Sequence, residues 1–322
     1  MKILPFEGGK MNNTYDVIII GGGPAGLTAG LYAARARLKT LLVESYLVVS
    51  QATTTDWIEN YPGFLEGIGG FELMDKFKKQ AEKFGLELDT GDVRNILRDK
   101  DVWQIETEEK KYNCSSIIVA TGARPRELGA AGEEKFRGKG VSYCATCDGP
   151  LFKDKDIVVV GGGDTAVEEA LFLTRFARKI TLVHRRDRLR ATKLLQERIL
   201  AHEKVEFVWS SQVIEVLGNE GVEAVKVKNG TTGEESRISC DGVFIFVGLI
   251  PNTNFLKGVI ELDRSGYVVA DENMKTSKEG IFACGDCRQK LLRQIVTACG
   301  DGATAAFSAQ QYVEELKGMA YK

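Results

Sequence analysis

The sequence has no run of eighteen uninterrupted apolar residues, almost no net charge and very little histidine. The first absence excludes a membrane-spanning helix, and a formal charge of -2 gives no overall attraction to nucleic acid or anionic membranes. Two histidines in 322 residues leave little imidazole for metal binding or proton transfer. Because residues 1–14 lack the charged and apolar segments of a signal peptide, we expect a cytoplasmic protein with no membrane or nucleic-acid partner.

Cysteine is also sparse: the seven thiols are odd in number and scattered, unlike the dense framework of a small secreted domain. This pattern favours a reducing cytoplasm, where a disulfide is more often catalytic than structural. Apolar residues, in contrast, make up 43% of the chain, which is enough for the cores of two ordinary domains.

A strand, a glycine turn and a helix occur twice, and each copy is typical of the start of a dinucleotide-binding fold. In the first copy, residues 16–20 predict a buried strand, and Gly21, Gly23 and Gly26 follow with G-x-G-x-x-G spacing. Glycine is needed because the backbone must turn sharply and approach a pyrophosphate at the helix N-terminus. Glu44, at the end of the next predicted strand, is placed to accept hydrogen bonds from a ribose hydroxyl.

The second copy begins with a predicted strand at residues 156–160 and continues into a helix that we expect to end near Phe176. Its turn residues are Gly161, Gly163 and Ala166, and its second strand is followed by a basic loop containing His184, Arg185, Arg186 and Arg190. Guanidinium groups form charge-assisted bonds with a 2'-phosphate, which a carboxylate would repel. The second copy therefore favours NADPH over NADH.

Two further predicted strands, residues 117–120 and 243–247, are each followed by a glycine turn and a nearby proline. We predict that the chain crosses between two domains at these points. The expected fold class is α/β, with two Rossmann-like dinucleotide-binding domains, the second inserted into the first. Residues 1–124 and 252–322 form the first domain, and residues 125–251 form the second.

Two C-x-x-C pairs are present, Cys144/Cys147 and Cys284/Cys287. Their wide separation, in different predicted domains, argues against a shared zinc site, so no metal site is predicted. The first pair is the better redox pair, because its spacing permits a tight disulfide and a lowered thiolate pKa. With no histidine left for acid–base work at the thiols, Asp148 is the candidate for delivering a proton to the departing thiolate. The second pair is expected to contribute small residues to a nucleotide-binding turn.

Several motifs in order resemble the low-molecular-weight thioredoxin reductases over about residues 15–315. They are Cys144-Ala-Thr-Cys147-Asp148, the glycine turn at residues 161–166, the basic loop, Gly285-Asp286 and Arg293-Gln294. The resemblance implies bound FAD, NADPH as electron donor, thioredoxin as protein substrate and a homodimer. It also implies that Cys147 faces the flavin and that Cys144 attacks thioredoxin.

The resemblance and the motifs together assign three sets of residues. The predicted catalytic residues are Cys144, Cys147 and Asp148. The predicted FAD-binding residues are Gly21, Gly23, Pro24, Ala25, Gly26, Glu44, Gln51, Asn60, Val93, Gly122, Gly285, Asp286, Arg293 and Gln294. The predicted NADPH-binding residues are Gly161, Gly163, Asp164, Thr165, Ala166, His184, Arg185, Arg186 and Arg190. One departure is that Val49 and Ser50 replace the two glycines usual before Gln51, which could reshape the flavin loop.

The predicted function is that of a thioredoxin-disulfide reductase. Hydride passes from NADPH to FAD, electrons reach the Cys144–Cys147 disulfide, and dithiol–disulfide exchange reduces thioredoxin. We expect the inserted domain to rotate between half-reactions about crossings near Arg124 and Pro251, because it carries both the disulfide and the NADPH site. One alternative is an NADPH-linked flavoprotein that reduces another disulfide protein, a peroxidase system or ferredoxin. Another, of a different class, is a non-catalytic zinc or nucleotide-binding module.

Overall fold

The computed structural model describes residues 14–46, 49–55, 57–100 and 102–319, except for the side chain of Cys147. The chain divides into two compact units. The first unit ends at Ala123 and resumes at Pro251, and the second runs from Arg124 to Ile250. Each unit contains a sheet with a parallel core, so the predicted α/β class with two Rossmann-like folds is confirmed.

The first unit is built on a sheet whose central strands are buried over most of their length, as expected for strands covered on both faces. Its strands, numbered in chain order, are β1 Thr14–Ile20, β2 Thr40–Glu44, β3 Glu87–Thr90, β4 Val93–Asp99, β5 Val102–Thr107, β6 Lys111–Val119 and β17 Ile281–Ala283. The described strands lie in the order β3-β2-β1-β6-β5-β4, and β17 pairs with β6. Strands β1, β2, β3, β6 and β17 pair in parallel, whereas β4 and β5 pair antiparallel.

The helices of the first unit are α1 Pro24–Arg35, α2 Gln51–Thr54, α3 Gly70–Lys83 and α7 Ile295–Leu316. Small residues on α1 and α7 allow these two helices to pack closely. A Cβ on Gly302 would lie 2.2 Å from the carbonyl oxygen of Ala25, so the approach of the two backbones requires glycine. Ala29 and Ala305 continue this contact into the core against the parallel strands.

The second unit contains a parallel sheet in the described order β11-β10-β9-β15-β8 and a separate antiparallel sheet in the order β12-β13-β14. Its strands are β8 Val141–Ser142, β9 Asp156–Gly161, β10 Lys179–Val183, β11 Val205–Val208, β12 Ser211–Gly218, β13 Val222–Asn229, β14 Glu235–Ser239 and β15 Gly242–Phe246. Its helices are α4 Ala145–Asp148, α5 Asp164–Leu173 and α6 Lys193–Leu200. Helix α5 ends before the predicted Phe176, whose carbonyl instead accepts the N–H of Asp154 at 2.9 Å.

The chain passes between the units through two short strands, β7 Ala123–Pro125 and β16 Leu249–Pro251, which pair with each other. On the side of the first unit, the N–H of Asn252 donates to the carbonyl of Gly122 at 3.0 Å. On the side of the second unit, the N–H of Arg126 donates to the carbonyl of Gly248 at 2.9 Å. Each unit therefore contains a backbone hydrogen bond between the two connections. Among the helices of the described ranges, none is long and apolar enough to cross a membrane.

Candidate active site

The first glycine turn connects β1 to α1. Gly21 has a φ of 114°, in the left-handed region that side chains disfavour. A Cβ on Gly26 would lie 1.8 Å from the carbonyl oxygen of Gly21, so this position also requires glycine. Gly23 precedes α1 without a side-chain cap, and Pro24 is the first helical residue. The N–H groups that begin α1 can therefore meet an anion such as a pyrophosphate.

The middle glycine of this turn, Gly22, was not singled out from the sequence, but it contacts the predicted ribose acceptor. A Cβ on Gly22 would lie 2.5 Å from Cδ of Glu44, which is half-buried at the end of β2. The carbonyl of Glu44 accepts the N–H of Gly91 at 2.9 Å, which fixes its backbone. The structure thus brings Glu44 to the glycine turn. Three consecutive glycines were the only signal in the sequence that could have identified Gly22.

The second glycine turn repeats this geometry between β9 and α5. The Cβ of Ala166 lies 2.5 Å from the place of a Cβ on Gly161, so alanine fits at the third position only because the first is glycine. A Cβ on Gly162 would lie 2.4 Å from Cε1 and Nδ1 of His184. Gly163 precedes α5 without a side-chain cap. Gly162 was missed from the sequence for the same reason as its counterpart in the first turn.

The basic loop after β10 combines a buried histidine with exposed arginines. His184 is 6% exposed, whereas Arg185, Arg186 and Arg190 are exposed. Burial lowers the pKa of His184, and the charges of these three arginines lower it further. The imidazole is therefore neutral at neutral pH, and the guanidinium groups carry the charge of the loop. The N–H of Arg190 donates to the carbonyl of Gly162 at 2.7 Å, which connects the loop to the glycine turn.

The other two predicted NADPH-binding residues, Asp164 and Thr165, begin α5. The carboxylate of Asp164 accepts the N–H of Thr192 at 2.6 Å, just before α6. Thr165 is exposed beside the turn. The structure therefore brings the whole predicted NADPH set together around one helix N-terminus.

In the first unit, the turn after β17 holds three buried polar atoms without hydrogen-bond partners in the described ranges: Oδ1 of Asp286 and Nε of Arg288 and Arg293. The Arg288 atom has an ion-pair partner in Asp301, which leaves the Asp286 and Arg293 atoms. Burial raises the pKa of Asp286, although the charges of Lys290 and Arg293 oppose this. The Arg293 guanidinium lies 4.2 Å from the centroid of the Tyr267 ring. Buried polar atoms without partners are costly, so these two atoms indicate a site for a polar ligand.

Asp301 supports this turn and was missed from the sequence. Its Oδ2 accepts the N–H of Gly285 at 3.1 Å and the Nζ of Lys290 at 2.7 Å. The Nε of Arg288 also lies 3.4 Å from Oδ2, and the three charged side chains are 7–14% exposed. A buried ion-pair cluster therefore stabilises the backbone at Gly285, whose φ is 74°.

Other predicted FAD-binding residues lie at three places in the first unit, and Gly122 accepts the N–H of Asn252 there. The side-chain amide of Gln51 donates to the carbonyl of Ala123 at 2.8 Å. That of Asn60 donates to Oε1 of Gln294 at 3.1 Å, so two residues far apart in sequence meet. Val93 begins β4 and packs against the core on that side of the sheet.

The replacement of two usual glycines by Val49 and Ser50 places side chains at the start of α2. Ser50 lies against the first glycine turn, with Oγ 3.5 Å from the place of a Cβ on Gly23. Val49 is 62% exposed. Only Ser50 therefore approaches the predicted phosphate site, and it adds a hydroxyl there.

The predicted redox pair lies at α4. Cys144 is disulfide-bonded and half-buried, immediately before this helix. The side chain of Cys147 lies outside the described part of the chain, so its pairing with Cys144 stays a prediction. The N–H of Cys144 donates to Oγ of Ser142, and the N–H of Asp148 donates to the carbonyl of Cys144. The side chain of Asp148 is half-buried on the same short helix.

Tyr143, the residue before Cys144, is held by a buried carboxylate that the sequence did not reveal. Oε1 of Glu133 accepts the Tyr143 hydroxyl at 2.5 Å and the N–H of Leu128 at 2.8 Å. Oε2 accepts the N–H groups of Gly129 and Ala130 at 2.6 and 3.2 Å. Burial by itself raises the pKa of Glu133, but these four hydrogen bonds outweigh it and lower the pKa below the usual value.

Known proteins match this chain over nearly its whole length. The model of the pyridine nucleotide-disulphide oxidoreductase family matches residues 15–302. The chain belongs to this family. A thioredoxin reductase of Listeria innocua serovar 6a is 51% identical over 304 residues, which cover 94% of this chain and 95% of the relative. One of Bacillus subtilis is 48% identical over 304 residues, which cover 94% of this chain and 96% of the relative.

Solved structures agree with this assignment. The crystal structure of Lactococcus lactis thioredoxin reductase in the FR conformation has a TM-score of 0.91 at 47% identity and covers 94% of this chain and 99% of its own. The predicted resemblance to low-molecular-weight thioredoxin reductases is therefore confirmed. So is the prediction that the chain is an enzyme of the oxidoreductase class.

The other cysteines of this pyridine nucleotide-disulphide oxidoreductase are free thiols. Cys284 and Cys287 are 0% exposed, and the Cys287 thiol donates to the carbonyl of Cys284 at 3.3 Å. Burial raises the pKa of Cys287 to about 11, which disfavours its thiolate. Cys114 and Cys240 are buried, whereas Cys299 is half-buried. Within the described ranges, the structure contains no group of three or more His, Cys, Asp or Glu side chains suited to a metal ion.

Proposed function

We propose that this oxidoreductase is a thioredoxin-disulfide reductase that takes electrons from NADPH through bound FAD and the Cys144–Cys147 pair. The observation that carries the proposal is that the disulfide-bonded Cys144 belongs to the same unit as the basic glycine turn. A nucleotide site and a redox disulfide on one unit are the two ends of an electron path from a pyridine nucleotide to a protein disulfide.

The first unit fits FAD. The uncapped start of α1 can receive the pyrophosphate, and Glu44, next to Gly22, can accept ribose hydroxyls. The unpartnered Asp286 and Arg293 atoms supply one acceptor and one donor to a ligand that bears hydroxyl and carbonyl groups. On this basis the FAD domain comprises residues 1–124 and 252–322, with Gln51, Asn60 and Gln294 near its bound cofactor.

The second unit fits NADPH, and the NADPH domain comprises residues 125–251. Arg185, Arg186 and Arg190 are exposed beside a glycine turn, where they can form charge-assisted bonds with a 2'-phosphate. Since burial and the arginine charges keep His184 neutral, its Nε2, which has no hydrogen-bond partner among the described residues, can act as a donor or an acceptor. When bound, FAD accepts a hydride from NADPH and supplies two electrons to a disulfide.

The residues of the chain then perform thiol–disulfide exchange. The Cys144 thiolate attacks the thioredoxin disulfide to form a mixed disulfide, and one thioredoxin sulfur leaves as a thiolate. The Cys147 thiolate next attacks Cys144, which re-forms the intramolecular disulfide and releases reduced thioredoxin. Asp148 donates a proton to the departing thiolate.

The two reactions of the second unit require a conformational step. The disulfide and the NADPH site belong to one unit, and each must contact the same flavin. We therefore infer that they contact it in turn. The paired strands β7 and β16 form the covalent connection between the units, and we place the rotation there. We also propose that the protein is a homodimer and that it acts in the cytoplasm. The free thiols at residues 114, 240, 284, 287 and 299 are compatible with a reducing compartment.

The test is an anaerobic titration of the purified protein with NADPH, followed by oxidised thioredoxin, in the natural chain and in Cys147→Ser. We expect the flavin absorbance to bleach in both proteins and thioredoxin to be reduced only by the natural chain. Absence of bleaching by NADPH would refute the assignment of the basic loop. Thioredoxin reduction by Cys147→Ser would refute the assignment of the disulfide.

A further inference from the structure

Glu169, on α5, contacts the helix that carries the redox pair. Its Oε2 accepts the N–H of Ala145 at 3.2 Å. Ala145 is 0% exposed and is the first residue of α4, directly after Cys144. A carboxylate from the nucleotide-binding helix is therefore hydrogen-bonded to the backbone next to the sulfur that is predicted to attack thioredoxin.

This position affects the charge that Cys144 can carry in the dithiol state. A cysteine just before a helix is made more acidic by the N–H groups of the first turn, which stabilise its thiolate. In this chain the Ala145 N–H is occupied by Glu169, and the N–H of Cys144 itself is occupied by Ser142 at 3.1 Å. The carboxylate also places a negative charge at the N–H of the residue next to Cys144, and like charges disfavour each other's ionised forms.

Other charged groups face the same segment from the elements around it. Asp148 lies on α4, and Glu168 is exposed on α5 next to Glu169. Before Cys144, the Tyr143 hydroxyl donates to Glu133, and the Arg137 guanidinium lies 4.9 Å from the centroid of the Tyr143 ring. Among these groups, Glu169 is the one whose described hydrogen bond reaches the backbone of the C-x-x-C helix.

We propose that Glu169 is a positioning residue that holds α4 in place and keeps Cys144 less acidic than its place before a helix would otherwise make it. The proposal rests on the proposed redox role of the Cys144–Cys147 pair. Stabilising a thiolate stabilises the dithiol form and makes a pair more oxidising. By opposing the thiolate, Glu169 keeps the pair reducing, as a donor of electrons to another disulfide must be.

The test measures the pKa of Cys144 in the reduced holoprotein. The natural chain, Glu169→Gln, Glu169→Ala and the control Glu197→Gln are reduced anaerobically with NADPH and pulsed with iodoacetamide from pH 5 to 10. Peptide mass spectrometry then follows the labelling of Cys144 separately from the other thiols. Glu197 is an exposed residue of α6 in the same unit, so its replacement removes the same charge without touching α4.

We expect Glu169→Gln to lower the pKa of Cys144 by about one unit, because it removes a negative charge that is hydrogen-bonded to the residue next to Cys144. Glu169→Ala should lower it further, because the Ala145 N–H becomes available. At a pH above both pKa values, a tenfold shift in the thiol equilibrium corresponds to about 30 mV in potential, so equilibration with thioredoxin there should show a more oxidising pair by about that amount. Glu197→Gln should match the natural chain in both measurements.

Equal titration curves for the natural chain and both Glu169 variants would overturn the proposal, and so would a raised pKa in Glu169→Gln. If NADPH fails to reduce the disulfide in the natural chain, the proposed function is wrong. The pKa comparison is then made after reduction with dithiothreitol, which forms the dithiol without the flavin. The failure of the function and the failure of this inference are thus observed separately.

Discussion

Replacement of Glu133 by alanine should destabilise the second unit substantially. The change removes the acceptor of four hydrogen bonds, from the N–H groups of Leu128, Gly129 and Ala130 and from the Tyr143 hydroxyl. Donors left without an acceptor cost about 1–1.5 kcal/mol each, and water that enters the space recovers part of this. We therefore expect a loss of about 3–5 kcal/mol in the free energy of unfolding.

The assay is urea unfolding followed by circular dichroism, combined with hydrogen exchange of peptides from residues 127–145. Glu134→Ala is the matched control. Its carboxylate forms a 2.9 Å ion pair with Arg137, and its side chain is 81% exposed. Such a pair contributes less than about 1 kcal/mol. If the two variants differ by less than about 1 kcal/mol, the structural role that we give to Glu133 is refuted.

The pH dependence of the same variant follows from the lowered pKa of Glu133. A carboxyl group with a lower pKa in the folded than in the unfolded state stabilises the fold above its unfolded pKa. This contribution is lost as the pH falls through the folded pKa, which lies below the usual 4.5. The difference between the natural chain and Glu133→Ala should therefore be constant from pH 6 to 7 and should shrink below pH 4.5.

Three further changes test the proposed nucleotide sites. Gly26→Ala should yield flavin-poor protein destabilised by more than about 3 kcal/mol, because its Cβ would lie 1.8 Å from the Gly21 carbonyl; absorbance at 450 nm per chain measures this. Gly162→Ala should displace the His184 ring and raise the KM for NADPH about tenfold while flavin content stays normal, which steady-state kinetics will check. Asp301→Asn should lower the melting temperature and the flavin content together, since it leaves a buried cation cluster unpaired, and normal values of both would contradict that role.

The two strand, glycine-turn and helix segments were predictable because such a turn depends on local spacing. Gly21, Gly26 and Gly161 stand where a strand turns into a helix, and a turn of this kind can be recognised within a few residues. The C-x-x-C pair and the basic loop were predictable for the same reason. Helix α5 was predicted too long. Beyond its end, Phe176 accepts a hydrogen bond from Asp154, and these two residues are separated in sequence by a whole strand and helix, so local spacing does not predict the contact.

The sequence alone thus determined the fold class, the two glycine turns, the basic loop and the family. The tertiary structure decided which acidic residues bind the backbone at the predicted site segments. Asp301 accepts a hydrogen bond from the N–H of Gly285, sixteen residues earlier in the chain. Glu169 accepts one from the N–H of Ala145, twenty-four residues earlier. Among 45 acidic residues, no spacing rule distinguishes these from solvated ones. A buried carboxylate is identified only when the fold brings backbone N–H groups to it, because those donors repay the cost of removing its charge from water.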